Sequence, residues 1–384
     1  MQATQAVQSP ASTLGRIRQW ATVIGMIYLL LLAVGMIGSG FKWASGGAEG
    51  AKQLFSFASD PLMGLVIGTF ATALVQSSST VTTVIVGLVA GGLPVAVAIP
   101  MIMGANIGTT VTNTMVSMGH IRKRKEFRRA FSAATIHDFF NLLAVAIFLP
   151  LEINTGFLQK ASASMAGLFY GGGANMDMSG LDFIKPITKP IISMFSDLYS
   201  MLPGIWGGVV LAITGLAFVF ISIAVLGAVL KKLMVGSAKE VLHRAIGGHP
   251  LKSMTSGCLI TLAVQSSSTS TSLIVPLAGN GIFKLKEVYP FTLGANIGTC
   301  ITALLAALSI SGAMAAQSLQ IAFVHLLFNI SSVVVIYGIP LLRNIPYRMA
   351  RVFAQKASRN RSIVFIYVLG VFFILPATLI MLTK

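Results

Sequence analysis

The sequence predicts an all-α polytopic membrane protein, built from two inverted-topology repeats whose broken or re-entrant helices meet at mid-membrane. Of its 384 residues, 55% are hydrophobic and only 10% are charged, and the mean hydropathy is +0.84. Such a composition, with apolar runs that approach membrane-spanning length, is typical of chains that cross a bilayer several times. Two polar segments each occur twice inside this apolar sequence, and this duplication predicts the repeat.

Five apolar segments predict full spanning helices, at 20–39, 131–150, 202–230, 317–342 and 362–382. Basic or Gly-rich connections separate them, and these connections divide the chain into six parts. The parts are a cytoplasmic N-terminal segment (1–19), a first transmembrane helix with an external connection (20–60), a first repeat (61–152), an external connection with a spanning helix and a basic cytoplasmic loop (153–253), a second repeat (254–342), and a basic cytoplasmic loop with the last transmembrane helix (343–384).

The core of each repeat is apolar but crowded with small polar residues. From Pro61 to Gly119 there is no Asp, Glu, Lys, Arg or His, although Ser, Thr, Asn, Gly and Pro are frequent. Lipid does not satisfy such groups, so they must face protein, an ion or water. We therefore expect short, broken or re-entrant helices in this core and in its second copy at 254–312.

The internal repeat rests on matches at nearly constant spacing. QSSST occurs at 76–80 and 265–269, and GANIGT follows each copy, from Gly104 and from Gly294. An offset of 189 relates Gly68, Thr72 and Gln76 to Gly257, Thr261 and Gln265. An offset of 188 relates His137 and Asn141, which share one helix face, to His325 and Asn329.

Loop charge predicts how the two copies are oriented. The first copy is followed by a loop at 120–129 with six Arg or Lys residues, whereas the second is followed by the uncharged loop 309–317. The positive-inside rule makes the first loop cytoplasmic and the second external. Corresponding points then lie on opposite sides, which is the inverted-repeat architecture of many secondary transporters.

The net charge of +17 is explained by these basic loops, so it does not indicate nucleic-acid binding. Both cysteines, Cys258 and Cys300, lie in predicted membrane segments, which argues against a disulfide-braced external domain. The basic loop at 120–129 has a second interpretation besides topology, the binding of lipid or a regulator.

The chemistry of the candidate site follows from the missing charges. An anion held in the first core would meet no Lys or Arg, so helix N-termini and hydroxyl donors must bind it. Ser and Thr are good N-caps and leave a donor at that end, so two facing QSSST turns can cradle a tetrahedral oxyanion. The predicted anion-binding residues are Gln76, Ser77, Ser78, Ser79, Thr80, Gln265, Ser266, Ser267, Ser268 and Thr269.

Carboxylates are also scarce in both cores, and this scarcity disfavours a proton-driven carrier. Hydroxyl, amide and carbonyl oxygens suit a hard alkali cation instead. The candidate cation ligands are Asn106, Thr109, Thr110, Thr112, Asn296, Thr299 and Thr302. Importing a divalent anion against a negative interior costs about 2.3 kcal/mol per charge per 100 mV, so co-transported cations are required. Two sodium ions would neutralise the complex, and three would let the potential assist.

Four long motifs resemble the type II sodium-dependent inorganic phosphate cotransporter family. They are MGANIGTTVTNT (103–114), EFRRAFSAATIHDFFNLL (126–143), QSSSTSTSLIVPL (from Gln265) and YPFTLGANIGTCITALLAAL (289–308). The likeness covers about residues 60–152 and 250–382. It implies sodium-driven import of inorganic phosphate by alternating access, with no enzymatic activity and no cofactor other than co-transported Na+.

The resemblance also implies roles for particular residues. The QSSST turns are expected to contribute to phosphate and sodium binding, and the GANIGT segments to sodium binding through Asn296, Thr299 and Thr302 and, by symmetry, Asn106, Thr109 and Thr112. Animal members usually have Ser at Ala105 and Ala295, so a sodium contact through that hydroxyl is lost here. Electrogenic animal members carry an Asp where this chain has the basic run 122–125, which leaves the stoichiometry open.

The large glycosylated external loop and the last spanning helix of the animal members have no counterpart in this sequence. We therefore expect a bacterial inner-membrane protein with a cytoplasmic N-terminus and an external C-terminus. The partners expected are phosphate, Na+ and the bilayer, and not nucleic acid.

Several alternatives stay open at this point. The first alternative is a sodium-coupled carrier of another oxyanion, and the second is a passive anion channel. The third is an intramembrane serine hydrolase, with a QSSST serine as nucleophile and His137 or His325 as base. The glycines of GANIGT have a plain structural interpretation in close helix packing. His137 and His325 have a structural interpretation as hydrogen-bonding ties between helices, and Asp138 is either functional or a helix-stabilising group near the interface.

Overall fold

The computed structural model describes residues 13–54, 60–170, 184–234, 246, 249–310 and 314–382, and within them it contains helices and turns but no strand. The helices are α1 (Thr13–Ser45), α2 (Ala48–Leu54), α3 (Pro61–Val75), α4 (Ser78–Ala90), α5 (Val95–Gly108), α6 (Thr110–Ser117), α7 (Arg124–Thr155), α8 (Phe157–Tyr170), α9 (Ile184–Tyr199), α10 (Trp206–Met234), α11 (Pro250–Val264), α12 (Ser267–Gly279), α13 (Leu285–Leu308), α14 (Ala315–Ser332), α15 (Pro340–Arg359), α16 (Ser362–Leu369) and α17 (Leu375–Leu382). A 3-10 turn (Met118–His120) follows α6, and π-helical turns (Val333–Tyr337 and Gly370–Ile374) follow α14 and α16.

Seven segments within the described residues are long and apolar enough to cross a membrane. They are Ile17–Ser45, Val95–His120, Arg124–Thr155, Trp206–Val229, Leu285–Leu308, Ala315–Tyr337 and Ser362–Leu382. The prediction of an all-α polytopic membrane protein is therefore confirmed. The inverted orientation of the two repeats stays a prediction.

The first half of each core is a broken helix, as the sequence predicts. α3 begins at Pro61 with Asp60 as its N-cap, ends at Gln76, and is followed directly by α4. α11 and α12 repeat the arrangement: α11 begins at Pro250 and ends at Gln265. Proline fits the first helical position because its missing N–H would lack a partner there in any case.

The second half of each core departs from the expectation of broken helices. Val95–His120 runs almost continuously through α5, α6 and the 3-10 turn, and α13 is unbroken over Leu285–Leu308. In the most apolar 18-residue part of Val95–His120, 83% of the residues are buried, and in that of α13 the share is 72%. The polar side chains of both helices therefore face protein rather than lipid. A polar helix can cross a membrane continuously when neighbouring helices cover it.

The paired helices of each core pack closely at glycines. α3 packs against α5, and α11 packs against α13. A Cβ on Gly104 would collide with the backbone oxygen of Leu65, and one on Gly294 would collide with the backbone oxygen of Met254. The glycines of GANIGT thus serve close helix packing, in both copies and against corresponding residues.

The remaining helices surround these two cores. α1 packs against α10, and α7 packs against α15 through stacked and tilted rings of Phe127, Phe131 and Phe353. Five predicted features lie partly outside the described residues. They are the N-terminal segment 1–19, the external connections within 20–60 and 153–200, the basic loop of 231–252, and the uncharged loop 309–317.

Candidate functional site

Two glutamines, one in each QSSST segment, hold an unusual backbone conformation. Gln76 has φ 59° and ψ 22°, and Gln265 has φ 56° and ψ 24°. Among the described residues these are the two non-glycine positions with positive φ. A left-handed conformation costs a non-glycine residue about 1–3 kcal/mol and persists only where surrounding contacts enforce it. The same strain at both copies points to a functional requirement at these turns.

Each glutamine is followed by a serine that caps the next helix. The hydroxyl of Ser77 accepts hydrogen bonds from Thr80 N (3.2 Å) and Thr80 Oγ1 (2.9 Å). The hydroxyl of Ser266 accepts from Thr269 N (3.2 Å) and Thr269 Oγ1 (3.0 Å). The N-capping that the sequence predicts is thus present in both copies. It leaves the first N–H groups and the positive dipole end of α4 and of α12 at the two turns.

The side-chain amide of each glutamine ties the QSSST turn to the GANIGT helix. Thr112 Oγ1 donates to Gln76 Oε1 over 2.7 Å, and Thr302 Oγ1 donates to Gln265 Oε1 over 2.8 Å. The amide nitrogens donate to carbonyls in the preceding turn. Each half therefore joins its anion-binding and cation-binding candidates in one hydrogen-bonded unit.

Residues of both copies line one cavity of about 520 Å³. From the first copy it receives Gln76 and Thr112, and from the second it receives three residues of QSSST together with Ser272. The three are Ser266, Ser268 and Thr269. The described residues that line this cavity carry no charged side chain. The structure thus brings candidate residues from the two repeats together.

The residues of the second repeat that match Gln76 and Thr112 are buried. Gln265 is 7% exposed and Thr302 is 1% exposed, whereas the matching residues Gln76 and Thr112 are partly exposed in the cavity. The matching side chains of the two repeats therefore make the same hydrogen bonds but differ in solvent exposure.

The other predicted site residues do not line the cavity. Ser78, Ser79, Thr80 and Ser267 are buried in the first turns of α4 and α12. The hydroxyls of Thr109 and Thr299 donate to carbonyls one turn earlier in their own helices, those of Ala105 and Ala295. Thr110 does the same with Ile107 O. Such bonds to a carbonyl three or four residues earlier are the ordinary use of threonine in a membrane helix.

Asn106 and Asn296 take part in a buried network at the contact between the repeats. The bonds are His137 Nε2 to Asn296 Oδ1, His325 Nε2 to Asn106 Oδ1 (3.2 Å), Asn296 Nδ2 to Asn141 Oδ1 (2.9 Å) and Asn106 Nδ2 to Asn329 Oδ1 (3.3 Å). Each histidine reaches the asparagine of the opposite repeat, which is the exchange expected at a two-fold interface. The expectation that these histidines tie helices together agrees with this geometry.

Three buried polar residues near the two turns were not predicted as site residues. Thr72 and Thr261 lie four residues before the glutamines, are fully buried, and have hydroxyls without a hydrogen-bond partner in the described part of the chain. Their match at the same offset is visible in the sequence but suggested only a repeat. Asn113 Oδ1 accepts from Thr271 Oγ1 (2.9 Å) and Ser272 Oγ (3.2 Å), which links the repeats a second time.

Asp138 is fully buried, and Tyr367 donates a hydrogen bond to its Oδ2 over 3.0 Å. Burial inside the protein does not fix the depth of this carboxyl in the membrane, so its position near the interface stays a prediction. Its Oδ1 has no hydrogen-bond partner within the described residues.

Comparison with known proteins identifies similar chains. The family model described as Na+/Pi-cotransporter matches residues 29–172 and 218–342. Sodium-dependent phosphate transport protein 2A of Rattus norvegicus is 33% identical over 426 residues, which cover 92% of this chain and 66% of that protein. Sodium-dependent phosphate transport protein 2B is 32% identical in Pongo abelii and 31% identical in Homo sapiens, each covering 93% of this chain and 64% of the relative.

This chain thus spans just under two thirds of the length of these relatives. No solved structure matches it. The family model nevertheless covers more than half of the chain, and the relatives extend over nearly all of it. The resemblance expected from the motifs is confirmed: the chain belongs to the Na+/Pi-cotransporter family.

Proposed function

We propose that this protein is a sodium-coupled secondary active transporter that imports inorganic phosphate by alternating access. The family and the printed names of its relatives support sodium-dependent phosphate transport. The observation that carries the proposal for this chain is the cavity that Gln76 of one repeat shares with Ser266, Ser268 and Thr269 of the other.

Phosphate binding at this cavity rests on neutral donors. The N-termini of α4 and α12 supply backbone N–H groups, and the capping serines hold hydroxyls at the same ends. Because no charged side chain lines the described part of the cavity, the anion is not neutralised by the protein. Sodium ions bound nearby then supply the compensating charge, and this coupling makes binding of the two solutes interdependent.

The proposed sodium ligands are neutral oxygens on the GANIGT helices. Asn106, Thr109, Thr112, Asn296, Thr299 and Thr302 remain the predicted set. The unpartnered hydroxyls of Thr72 and Thr261 join it, since each lies one turn before a strained glutamine. Hard cations prefer such hydroxyl, amide and carbonyl oxygens.

Unequal access to equivalent residues supports alternating access. The cavity includes Met115 and Val116, a few residues before the basic loop for which the positive-inside rule predicts a cytoplasmic location. The counterparts Gln265 and Thr302 are buried. In the proposed cycle the two halves exchange these environments, so that the second half opens towards the outside.

The competing functions receive less support. A serine hydrolase requires a histidine beside the nucleophile, yet in the described structure His137 and His325 bond to asparagines and not to a QSSST serine. A passive channel has no need of paired, strained turns. We therefore expect no enzymatic activity, no cofactor and no nucleic-acid partner, and we place the protein in a bacterial inner membrane with its N-terminus cytoplasmic and its C-terminus external.

The decisive test is uptake of radiolabelled phosphate by the purified protein in liposomes with a clamped membrane potential. We expect accumulation with an inward sodium gradient and none with potassium or a proton gradient alone. Arsenate and sulfate as competitors distinguish phosphate from other oxyanions. Equal accumulation without sodium would overturn the proposal, and flux without accumulation would indicate a channel.

A further inference from the structure

A second polar cavity lies apart from the two QSSST turns, at the end of the molecule where α7 begins. Its volume is about 720 Å³. Three elements contribute basic side chains to it: α7, the turn before α13, and α15. These side chains are Arg128, Arg129, Lys284, Arg348 and Arg351.

The lining is strongly unbalanced in charge. The described lining residues include five basic side chains and no acidic one, and no ion pair within the described structure engages any of the five. The nearest acids in sequence form no ion pair with these five side chains. Glu126 pairs with Lys123 (2.9 Å) and His120 (3.2 Å), and Glu287 accepts from the backbone N–H of Lys284 (2.7 Å). Five like charges around one cavity repel each other unless an anion is bound among them.

The arginines are arranged to reach into the cavity. Gly281 has φ +82°, and its missing side chain leaves space that the guanidinium of Arg129 occupies; a Cβ there would lie 2.6 Å from Arg129 Nη1. The guanidinium of Arg351 lies 5.6 Å from the ring centre of Tyr347, a cation–π contact that restricts its orientation. Planar guanidinium groups fixed in this way suit the oxygens of a phosphate group, which they bind through paired hydrogen bonds.

The composition of α15 indicates that the cavity lies near the membrane surface. α15 is rich in basic residues, and it exposes Met349 and Val352 beside Arg348 and Arg351. Such a mixture is typical of a helix at the boundary between headgroups and acyl chains. The positive-inside rule predicts a cytoplasmic location for the basic loop at 120–129 and hence for this boundary, and basic pockets on that side bind anionic headgroups.

From this cavity we infer a cytoplasmic phosphate-group site, separate from the transport site, that binds the headgroup phosphate of an anionic phospholipid or free inorganic phosphate. The shared chemistry is a phosphate oxyanion held by converging arginines. The inference does not depend on the proposed transport activity, because the residues involved do not line the cavity between the repeats.

The test uses the purified full-length protein in two arms. In the first, native mass spectrometry compares retention of phosphatidylglycerol with retention of phosphatidylcholine. In the second, the unfolding temperature is measured in sodium-free buffer with inorganic phosphate or with chloride at equal ionic strength. We expect Arg128→Gln combined with Arg351→Gln to lower the affinity for the phosphate group roughly tenfold, in whichever arm the unmodified protein responds. The reason is that each charge-assisted hydrogen bond contributes substantially to binding.

A matched control removes the same charge outside the cavity, by Arg122→Gln in the turn before α7 with Arg359→Gln at the end of α15. A third variant, Lys284→Gln, removes a charge that the turn before α13 contributes to the cavity. It keeps the test valid if the double variant misfolds. A response to phosphatidylglycerol identifies a lipid site, and a response to inorganic phosphate identifies a site for the free ion. The inference is wrong if neither arm responds, or if cavity and control variants behave alike.

Discussion

The two QSSST–GANIGT units have the same local structure but different surroundings. In both, a left-handed glutamine ends one helix, a serine caps the next, and a threonine of the second segment bonds the glutamine amide. Only the first unit's glutamine lines the cavity, whereas Gln265 is buried. Local sequence therefore determines the turn, and the packing of one repeat against the other determines which of the two glutamines is accessible.

At the contacts between the repeats, one pair of matching positions differs in sequence. Asn113 accepts hydrogen bonds from Thr271 and Ser272, but its counterpart in the second repeat is Ala303. As a result, the buried hydroxyl of Thr83, the counterpart of Ser272, has no partner in the described structure. The two contact regions between the repeats are thus unequal in hydrogen bonding as well as in exposure.

The largest expected effect tests whether both units serve one site. We predict that Ser77→Ala and Ser266→Ala each lower sodium-driven phosphate uptake by about tenfold or more, because each removes a hydroxyl and a helix cap at a proposed phosphate contact. Uptake of radiolabelled phosphate into proteoliposomes measures this.

Ser222→Ala provides the matched control, since it removes a buried serine hydroxyl that bonds only within α10. Ser77→Thr and Ser266→Thr retain the hydroxyl and should keep part of the activity. Normal uptake in either alanine variant would show that the halves do not share the site.

A second prediction concerns the unequal access. In a Cys258→Ala background, Ser272→Cys should react with a membrane-impermeant thiol reagent from the cytoplasmic side at least about tenfold faster than Thr83→Cys. A ratio of this size is expected if the protein strongly prefers the conformation in which the cavity is open. Ser272 lines the cavity, whereas Thr83 is fully buried. Phosphate with sodium should slow the faster reaction.

The background protein retains only the buried Cys300 and reports unspecific labelling. Equal reaction rates at the two positions would mean that the asymmetry of the structure does not describe the dominant state in a membrane.

The shared part of the two units could be predicted from the sequence. Helix breaks at QSSST follow from Ser and Thr as N-caps, and the association of QSSST with GANIGT follows from their joint duplication. The all-helical membrane fold follows from composition. Each of these conclusions depends on local chemistry or on a pattern within one segment.

Other features of the two units could not be predicted in this way. The left-handed conformation of Gln76 and Gln265 is unfavourable for glutamine, so propensity argues against it. The continuous helix α13 overrides its Gly and Pro content because the surrounding protein covers it. The partners of Asn113 and of the histidines lie some 155–225 residues away, and a single sequence contains no signal for such distant pairs.

A third, smaller effect tests the hydrogen bonds that only one contact region has. Asn113→Ala should lower the free energy of unfolding by about 1–2 kcal/mol, because Ser272 loses its acceptor and the Thr271 hydroxyl is left with carbonyls of its own helix. Thermal unfolding of the purified protein measures this change. Asn154→Ala is the control, since its amide is exposed and bonds only to Pro150 O in its own helix. Equal effects of the two substitutions would mean that Asn113 contributes nothing across the repeats.

The smallest effect is expected at the corresponding place in the other contact region. Thr83→Val keeps the shape of the side chain and removes a buried hydroxyl that has no partner in the described structure, so the stability should be unchanged or slightly raised. Thr271→Val, on the opposite side, removes a donor to Asn113 and should destabilise by roughly 1 kcal/mol. Unfolding temperatures and the sodium dependence of uptake should be measured for both. If Thr83→Val instead weakens sodium activation, its hydroxyl is a cation ligand, and the two contact regions differ in ion binding rather than in hydrogen bonding alone.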